Sequence, residues 1–164
     1  MEKAVYDSTE DTNDHKQMVY DLLFKVVEEL ATRAVEHDLS KLGPVEKPVI
    51  DERGLMKNAI AHHHAVNRHH PEHFKKYQCA RCLKRFNIEV INCPECGYSL
   101  FSVEPEGIKG MNIVDIIEML CDIKAMSTHD GSDMMKRLEL HQKRYRYSDE
   151  LAWIFKNTVG VLDA

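Results

Sequence analysis

The chain has 164 residues, of which 43% are hydrophobic and 30% charged, and its formal net charge is −5. This length suits one core-forming domain with a small satellite, and the composition is that of a folded chain. The acidic charge argues against binding duplex phosphate over a large surface, and no apolar run approaches the roughly 20 residues of a membrane helix. The polar N-terminus does not resemble a secretory signal. We therefore expect a cytoplasmic protein with no membrane partner.

The first part of the chain carries a helical pattern. Residues 12–36 are predicted to form one long helix, because apolar residues recur at helical spacing without an interrupting Gly or Pro. Gly43 and Pro44 mark a loop, and we expect an irregular stretch from Pro44 to Pro48. A second helix is predicted over residues 51–68, and Pro71 follows it as a break in the helical pattern.

The composition changes at Tyr77. Residues 77–104 contain four cysteines and several β-branched or aromatic residues, a pattern that predicts a pair of short hairpins. Helical periodicity returns at 111–127 and 132–145, and a last helix begins after an N-cap at Ser148. The sequence thus predicts a helical domain made of residues 1–76 and 105–164, into which the small β ribbon of residues 77–104 is inserted.

The cysteines of the ribbon have the spacing C-x2-C, ten residues, C-x2-C. Each C-x2-C turn presents two sulfurs to one ion, so Cys79, Cys82, Cys93 and Cys96 are predicted to bind a structural zinc ion. Two disulfides or an iron site are the competing interpretations. Zinc would replace an apolar core too small to fold alone, although nearby basic residues would also allow contact with nucleic acid or a partner.

Histidines and carboxylates form a second set of candidate ligands. Eight of the ten histidines lie between His15 and His73. In the helix at 111–127, the spacing of Asp115, Glu118 and Asp122 places three carboxylates on one stripe. Imidazoles and carboxylates that converge from several helices suit a divalent first-row metal ion.

The segment HDLSKL resembles the signature of the HD-domain metal-dependent phosphohydrolases. Members of that superfamily are helical bundles that hold one or two metal ions through an earlier histidine, the His-Asp doublet and a later aspartate. The resemblance implies a mainly α, HD-domain-like bundle with the small β zinc ribbon inserted. It also implies a set of metal ligands: His15, His37, Asp38 and Asp122.

Members with two metals add histidines from the helix after the doublet. The segment AHHHAVNRHHPEHF could supply them, and together with NIVDIIEMLCDIKA it resembles an uncharacterised family of small HD-like proteins from phages and bacteria. The matching residues are His62, His63, Asn67, His69, His70, Glu118 and Asp122. The resemblance leaves open which of the four histidines bind metal. Glu118 lies one turn before Asp122 on the predicted helix and could orient a ligand there.

The activity implied by the resemblance is hydrolysis of a nucleotide or another small phosphate ester, with 5′-nucleotidase-like monoester cleavage first and a cyclic nucleotide second. One or two ions of Mn, Fe, Co, Mg or Zn would activate water and polarise the phosphoryl oxygen. Asp38 would orient the water, while Lys41 and Arg68 would offset phosphate charge. Two alternatives remain: a non-catalytic HD-like scaffold whose ribbon binds nucleic acid or a partner protein, and a di-iron oxygenase of HD-like fold. The oligomeric state is left open.

Overall fold

The computed structural model describes residues 7–53, 56–86 and 90–163. It is mainly helical, with about 66% helix, and the described residues include six α-helices and a three-stranded antiparallel sheet. The chain divides into two compact units, one ending at Glu36 and the other beginning at His37. No described helix is long and apolar enough to cross a membrane.

The first unit contains helix α1, Thr9–Glu36. The structure confirms the helix predicted for residues 12–36 and extends it by three residues at its start. Asp7 precedes the helix, and its Oδ1 accepts hydrogen bonds from the backbone amide and hydroxyl of Thr9, at 3.0 and 2.6 Å. A carboxylate at this end satisfies amides that have no partner within the helix and interacts favourably with the helix dipole.

The second unit begins with short helices. A 3-10 helix, Leu39–Leu42, is followed by α2, Lys47–Asp51, and α3, Met56–Val66. The predicted boundaries were wrong here. Pro48 lies in the first turn of α2, where its missing amide costs no hydrogen bond, so Pro44 to Pro48 is not irregular throughout. The single helix predicted at 51–68 begins later and ends earlier; residues 54 and 55 lie outside the described part.

The ribbon is built on three strands, β1 (Lys75–Cys79), β2 (Arg85–Phe86) and β3 (Phe101–Pro105), in the order β2-β1-β3. Tyr77 lies opposite both Phe86 and Val103, so β1 is the central strand. The first predicted hairpin, β1–β2, is confirmed. The second is wrong, because β3 returns to pair with β1. Part of the predicted β-rich run, residues 87–89, lies outside the described residues.

The core of the second unit lies among α4 (Ile113–Asp130), α5 (Met134–Tyr145) and α6 (Asp149–Leu162). The buried side chains at its centre are Leu120, Leu138, Phe155 and Val159, each no more than 3% exposed. The three predicted helices are confirmed, and side-chain caps at Asn112, Asp133 and Ser148 define where they begin. Gly131 ends α4 with φ 69°, which turns the chain into α5.

Candidate metal centre

Imidazole and carboxylate groups from separate segments converge around Asp38. His63 Nε2 lies 3.2 Å and His69 Nε2 3.4 Å from Asp38 Oδ1. His37 Nε2 lies 3.6 Å from both Asp38 Oδ2 and Asp122 Oδ1. These side chains come from the start of the second unit, from α3, from the loop after α3 and from α4. The fold therefore brings together groups that lie far apart in the sequence.

Local backbone geometry explains how the first of these groups are presented. Asp38 has φ 58°, in the left-handed region that Asp tolerates better than most side chains, and it directly precedes the 3-10 helix Leu39–Leu42. His70 is extended, with φ −97° and ψ 124°, as expected of a residue before proline. Asp38 and His70 are therefore non-helical residues, and each is a candidate ligand that directly precedes a 3-10 helix.

Two glutamates, the buried Glu46 and the partly buried Glu118, lie beside the other ring nitrogens of these histidines. Glu118 Oε1 lies 3.0 Å from His37 Nδ1 and 3.1 Å from His69 Nδ1. Glu46 Oε2 lies 3.0 Å from His63 Nδ1, and Glu46 is only 1% exposed. A carboxylate that accepts from Nδ1–H fixes the tautomer in which Nε2 carries the free lone pair, which is the arrangement found behind metal-bound histidines.

Polar atoms at the centre of the cluster have no hydrogen-bond partner among the described residues. They are Asp38 Oδ1, His69 Nε2 and His70 Nε2, and all three are buried. A buried polar atom without a partner is costly. A carboxylate oxygen and an unprotonated imidazole nitrogen are both lone-pair donors, and a divalent cation is the group that would satisfy these atoms together. The residues present therefore fit a metal ion.

The charge state of the centre also suits a cation. Burial alone would raise the pKa of Asp38, but the nearby imidazoles of His63 and His69 and the ammonium of Lys41 hold it well below its usual range. The hydrogen bond to Asp122 raises the pKa of His37 to about 9, against the effect of burial and with the help of Glu118. Without a metal, His37 thus carries a proton among carboxylates, at a position that a cation would otherwise occupy.

Three overlapping groups around this centre could hold a metal ion, since their ligand atoms lie within 4.8 Å of one another. They are Asp38, His63, His69 and His70; His37, Asp38 and Asp122; and His37, His69 and Glu118. Six of the sequence-predicted ligands are therefore brought together: His37, Asp38, His63, His69, His70 and Asp122.

Other predicted site residues lie elsewhere or have other partners. His62 belongs to none of these groups, and its Nδ1 is instead 2.7 Å from Glu46 Oε1, so its role as a metal ligand stays a prediction. The side chains of His62 and His63 point in different directions from α3, because consecutive residues of a helix are about 100° apart around its axis. His15 lies on α1 in the first unit, and its role as a ligand stays a prediction.

The two basic residues predicted to contact phosphate differ in their surroundings. Lys41 Nζ donates to Asp38 Oδ2 at 2.5 Å, and its side chain is 48% exposed, so the ammonium lies at the centre and can still reach a ligand. Arg68 is committed to another partner. Its guanidinium donates twice to the fully buried carboxylate of Asp115, both at 3.0 Å, and lies over the ring of Phe74. The arginine therefore neutralises a buried charge.

A cavity of about 360 Å³ adjoins the metal centre. Its wall includes groups of the centre at one end, apolar side chains of α4 and α5, and two arginines: His70, Asp122, Met119, Leu140, Arg137 and Arg144. A cavity of this size can hold a small molecule. The mixture of apolar and cationic groups suits a ligand with a flat apolar part and an anionic part.

The four cysteines of the ribbon form a separate cluster. Cys79 Sγ lies 3.6 Å from Cys96 Sγ, and Cys82 Sγ lies 3.5 Å from Cys93 Sγ. Sulfurs around a tetrahedral zinc ion, at Zn–S distances of about 2.3 Å, are roughly 3.7 Å apart. The backbone amide of Cys82 lowers the pKa of the Cys79 thiol to about 6 despite burial, which favours the thiolate. The predicted cluster could thus bind zinc.

Sequence reasoning missed two acidic residues, Glu46 and Glu72. Glu46 supports His63 from behind, whereas Glu72 lies beside His70 and His64 in a further group of possible ligands. Glu46 lies in the Gly- and Pro-containing stretch where no periodicity indicates which side chains face inward. Glu72 directly follows Pro71 in the short 3-10 helix Pro71–Phe74. A helix this short has no sequence pattern that would predict which way the side chain of Glu72 points.

Comparison with known proteins gives one match. The family model DUF5662, described as a family of unknown function, matches residues 4–53 and 49–161. The chain belongs to the DUF5662 family. The second DUF5662 match runs across the range that contains the ribbon and the metal centre. No curated protein matches the chain, and no solved structure matches it.

Proposed function

We propose that this DUF5662 protein is a metal-dependent phosphohydrolase of the HD-domain type, acting on a nucleotide or another small phosphate ester. The observation that carries the proposal is the meeting of His37, Asp38 and Asp122 with further imidazoles at one point. The Nδ1 atoms of His37, His63 and His69 lie against Glu118 or Glu46, and their Nε2 atoms face Asp38 or Asp122. This is the chemistry of a site for a catalytic first-row metal ion.

A divalent ion held by these side chains would polarise a phosphoryl oxygen and lower the pKa of a bound water. Asp38 stays ionised because its pKa is far below neutral, so it orients donors rather than storing a proton. Lys41 uses one hydrogen for Asp38 and has others for a phosphate oxygen, whose charge it offsets. In the overall reaction, water replaces the alcohol on phosphorus and the alcohol leaves with a proton.

The adjoining cavity supports a small substrate. Arg137 and Arg144 are on its wall, and the side chain of Arg144 is 62% exposed. Arg137 already pairs with Asp130 and Arg144 with Glu72, so these arginines would offer a phosphate their positive charge and their remaining N–H donors. Apolar side chains on the same wall would pack against a base or another flat group. Monoester hydrolysis of the 5′-nucleotidase type remains the first choice of reaction.

Phosphate release from a panel of nucleotides tests the proposal. The purified chain is assayed with added Mn²⁺, Co²⁺, Fe²⁺ or Mg²⁺, alongside Asp38→Asn and His37→Gln. We expect both substitutions to lower kcat/KM by about 100-fold or more, since each removes a metal ligand. His129→Gln, an exposed histidine on α4, is the matched control and should keep full activity. Full activity in both ligand variants would rule out this site as the catalytic one.

We also propose that the ribbon holds one zinc ion in a structural role. The four thiolates close the coordination shell of a tetrahedral ion and leave no open position for substrate. Metal analysis should find a zinc ion that is lost in Cys93→Ser and retained in Asp38→Asn. Retention of the full zinc content in Cys93→Ser would contradict the assignment.

A further inference from the structure

A second group of possible ligands lies beside the centre just described. It consists of His64 at the end of α3, His70, and Glu72 on the 3-10 helix Pro71–Phe74, with ligand atoms within 4.8 Å of one another. The rings of His64 and His70 have centroids 4.7 Å apart. His70 also belongs to the group formed with Asp38, so the two groups are neighbours that share one imidazole.

Glu72 is oriented from α5 by two donors. The hydroxyl of Tyr145 donates to Glu72 Oε1 at 2.7 Å, and Arg144 Nη2 donates to the same oxygen at 2.6 Å. The other oxygen, Oε2, is buried and has no hydrogen-bond partner among the described residues. One oxygen is anchored, and the other is free to bind a ligand.

Two imidazoles, those of His64 and His70, lie next to this carboxylate. His70 Nε2 is likewise buried without a partner. Neutral imidazole is the form that binds metal ions, and the cluster combines two imidazoles with one carboxylate.

We propose that His64, His70 and Glu72 bind a second divalent cation, next to the one at Asp38. Two nitrogen ligands and one oxygen ligand suit Zn²⁺, Mn²⁺, Co²⁺ or Fe²⁺ better than Ca²⁺ or Mg²⁺, which prefer oxygen alone. Tyr145 and Arg144 serve as the groups that orient Glu72. The inference concerns binding and does not require that the chain hydrolyse phosphate esters.

The proposed second site lies on the wall of the cavity, where a bound ion could contact a ligand. His64, His70, Arg144 and Tyr145 all lie on the wall of the 360 Å³ cavity. An ion bound there would present positive charge to the same space as the ion at Asp38. An anionic ligand in the cavity could then contact both ions, which is the arrangement that two-metal sites use to clamp a phosphoryl group.

Metal counting separates the two sites. The protein carrying its ribbon metal is titrated with Mn²⁺ by calorimetry, and the bound metal is measured after gel filtration. We expect two equivalents of Mn²⁺ in the unmodified chain. Glu72→Gln should abolish one equivalent or weaken it by about 10-fold or more, whereas Asp38→Asn should lose the other and keep the ion that depends on Glu72. Glu106→Gln, an exposed glutamate outside the cluster, is the control.

A second variant guards against misfolding. Glu72→Gln disturbs the contacts of Arg144 and Tyr145, whereas His64→Gln leaves them in place and should lose the same ion. Both variants are checked by thermal unfolding. In the unmodified chain with two Mn²⁺, electron paramagnetic resonance should give a spin-coupled spectrum, and each single-site variant should give an uncoupled one.

The outcomes distinguish this inference from the proposed function. Unchanged Mn²⁺ stoichiometry and affinity in both Glu72→Gln and His64→Gln would overturn the second site, even if phosphate is released normally. Only one equivalent in the unmodified chain, dependent on Asp38, would overturn it too. Conversely, two coupled ions in a protein that releases no phosphate from any substrate would support the second site and contradict the hydrolase.

Discussion

The ribbon cluster and the metal centre are both sets of metal-binding side chains, but they are built differently. The four cysteines lie within the segment from Cys79 to Cys96, and their sulfurs all lie within 4.8 Å of one another. The centre gathers side chains from His37 to Asp122, is supported by Glu46 and Glu118, and adjoins a cavity. A closed shell suits a structural ion, whereas supported ligands beside open space suit chemistry.

Removing a cysteine of the ribbon should have the largest effect and should affect the ribbon alone. Cys79→Ser should lose the ribbon zinc and unfold the ribbon, because structural zinc contributes about 10–16 kcal/mol of binding free energy in zinc-finger peptides and few apolar contacts replace it. The apolar core among α4, α5 and α6 should persist. Hydrogen exchange would show lost protection in β1 and β3 and retained protection in the helices.

Cys121→Ser is the matched control for this prediction. Cys121 lies on α4, is exposed and belongs to no group of possible ligands among the described residues. Its substitution should leave both zinc content and exchange unchanged. If the amides of the ribbon stay protected from hydrogen exchange in Cys79→Ser, the fold of the ribbon does not depend on zinc. The proposed structural role of the cysteine cluster would then be wrong.

The next largest effect concerns the support behind the centre. Glu46→Gln replaces the carboxylate whose two oxygens face the Nδ1 atoms of His62 and His63. The amide oxygen of glutamine is a weaker acceptor, and its NH2 group would face one of the two imidazoles as a donor. We expect metal affinity at the centre to fall by about 10- to 100-fold with the ribbon zinc retained. Calorimetric titration with Mn²⁺ measures the change. Glu52→Gln, at an exposed position, is the control, and equal affinity in both variants would make Glu46 irrelevant to the centre.

Glu46 also illustrates what the sequence could and could not predict. Helix α1, the helices α4 to α6 and the cysteine cluster follow from periodicity, caps and ligand spacing, which are local signals. The meeting of His37, Asp38 and Asp122 was predicted from resemblance alone, since nothing local links residues on different helices. Glu46 lies between Gly43 and Pro48, where no pattern distinguishes a buried acid from a surface one.

The sequence also did not predict which residues interact with one another in the folded protein. Asp115 and Glu118 share a stripe on α4, but the sequence does not indicate that Asp115 caps the helix and pairs with Arg68 whereas Glu118 supports two histidines. Similarly, the ribbon's third strand was predicted to belong to its own hairpin. Its actual partner is β1, and strand pairing at long separation depends on packing that no short motif encodes.

Arg68 should matter for stability rather than for substrate. Arg68→Ala removes the cationic partner of the buried carboxylate of Asp115, which should cost about 1–3 kcal/mol of unfolding free energy. Because the guanidinium is half exposed, we expect the lower end of that range. Urea unfolding measures the change, and KM should stay unaltered. Arg85→Ala, which removes a surface pair with Glu104, should cost less than about 0.5 kcal/mol.

A raised KM with unchanged stability in Arg68→Ala would restore the interpretation of this residue as a phosphate contact. The structure argues against it, because both ends of the fork already bind Asp115. Lys41→Ala offers the contrasting case. Its ammonium lies at Asp38 and is half exposed, so KM should rise whereas stability should change little.

The smallest expected effect is a pH dependence that differs with metal. The pKa of His37 in the folded protein, about 9, lies above its ordinary value of 6.5, so the protonated form stabilises the fold. In metal-free protein this contribution is complete below about pH 6.5 and is lost as the pH rises toward about 9. Partial exposure keeps it below about 1 kcal/mol. Urea unfolding across that range measures the slope.

His37→Gln should flatten this slope in metal-free protein, and the exposed His129→Gln should leave it intact. Saturating Mn²⁺ should flatten it as well, because a metal at His37 takes the place of the proton between the same carboxylates. Ribbon zinc should have no such effect, since its thiolates do not contact His37. A slope that persists with bound Mn²⁺ would mean that His37 keeps its proton and that the ion is held by Asp38 with the other histidines.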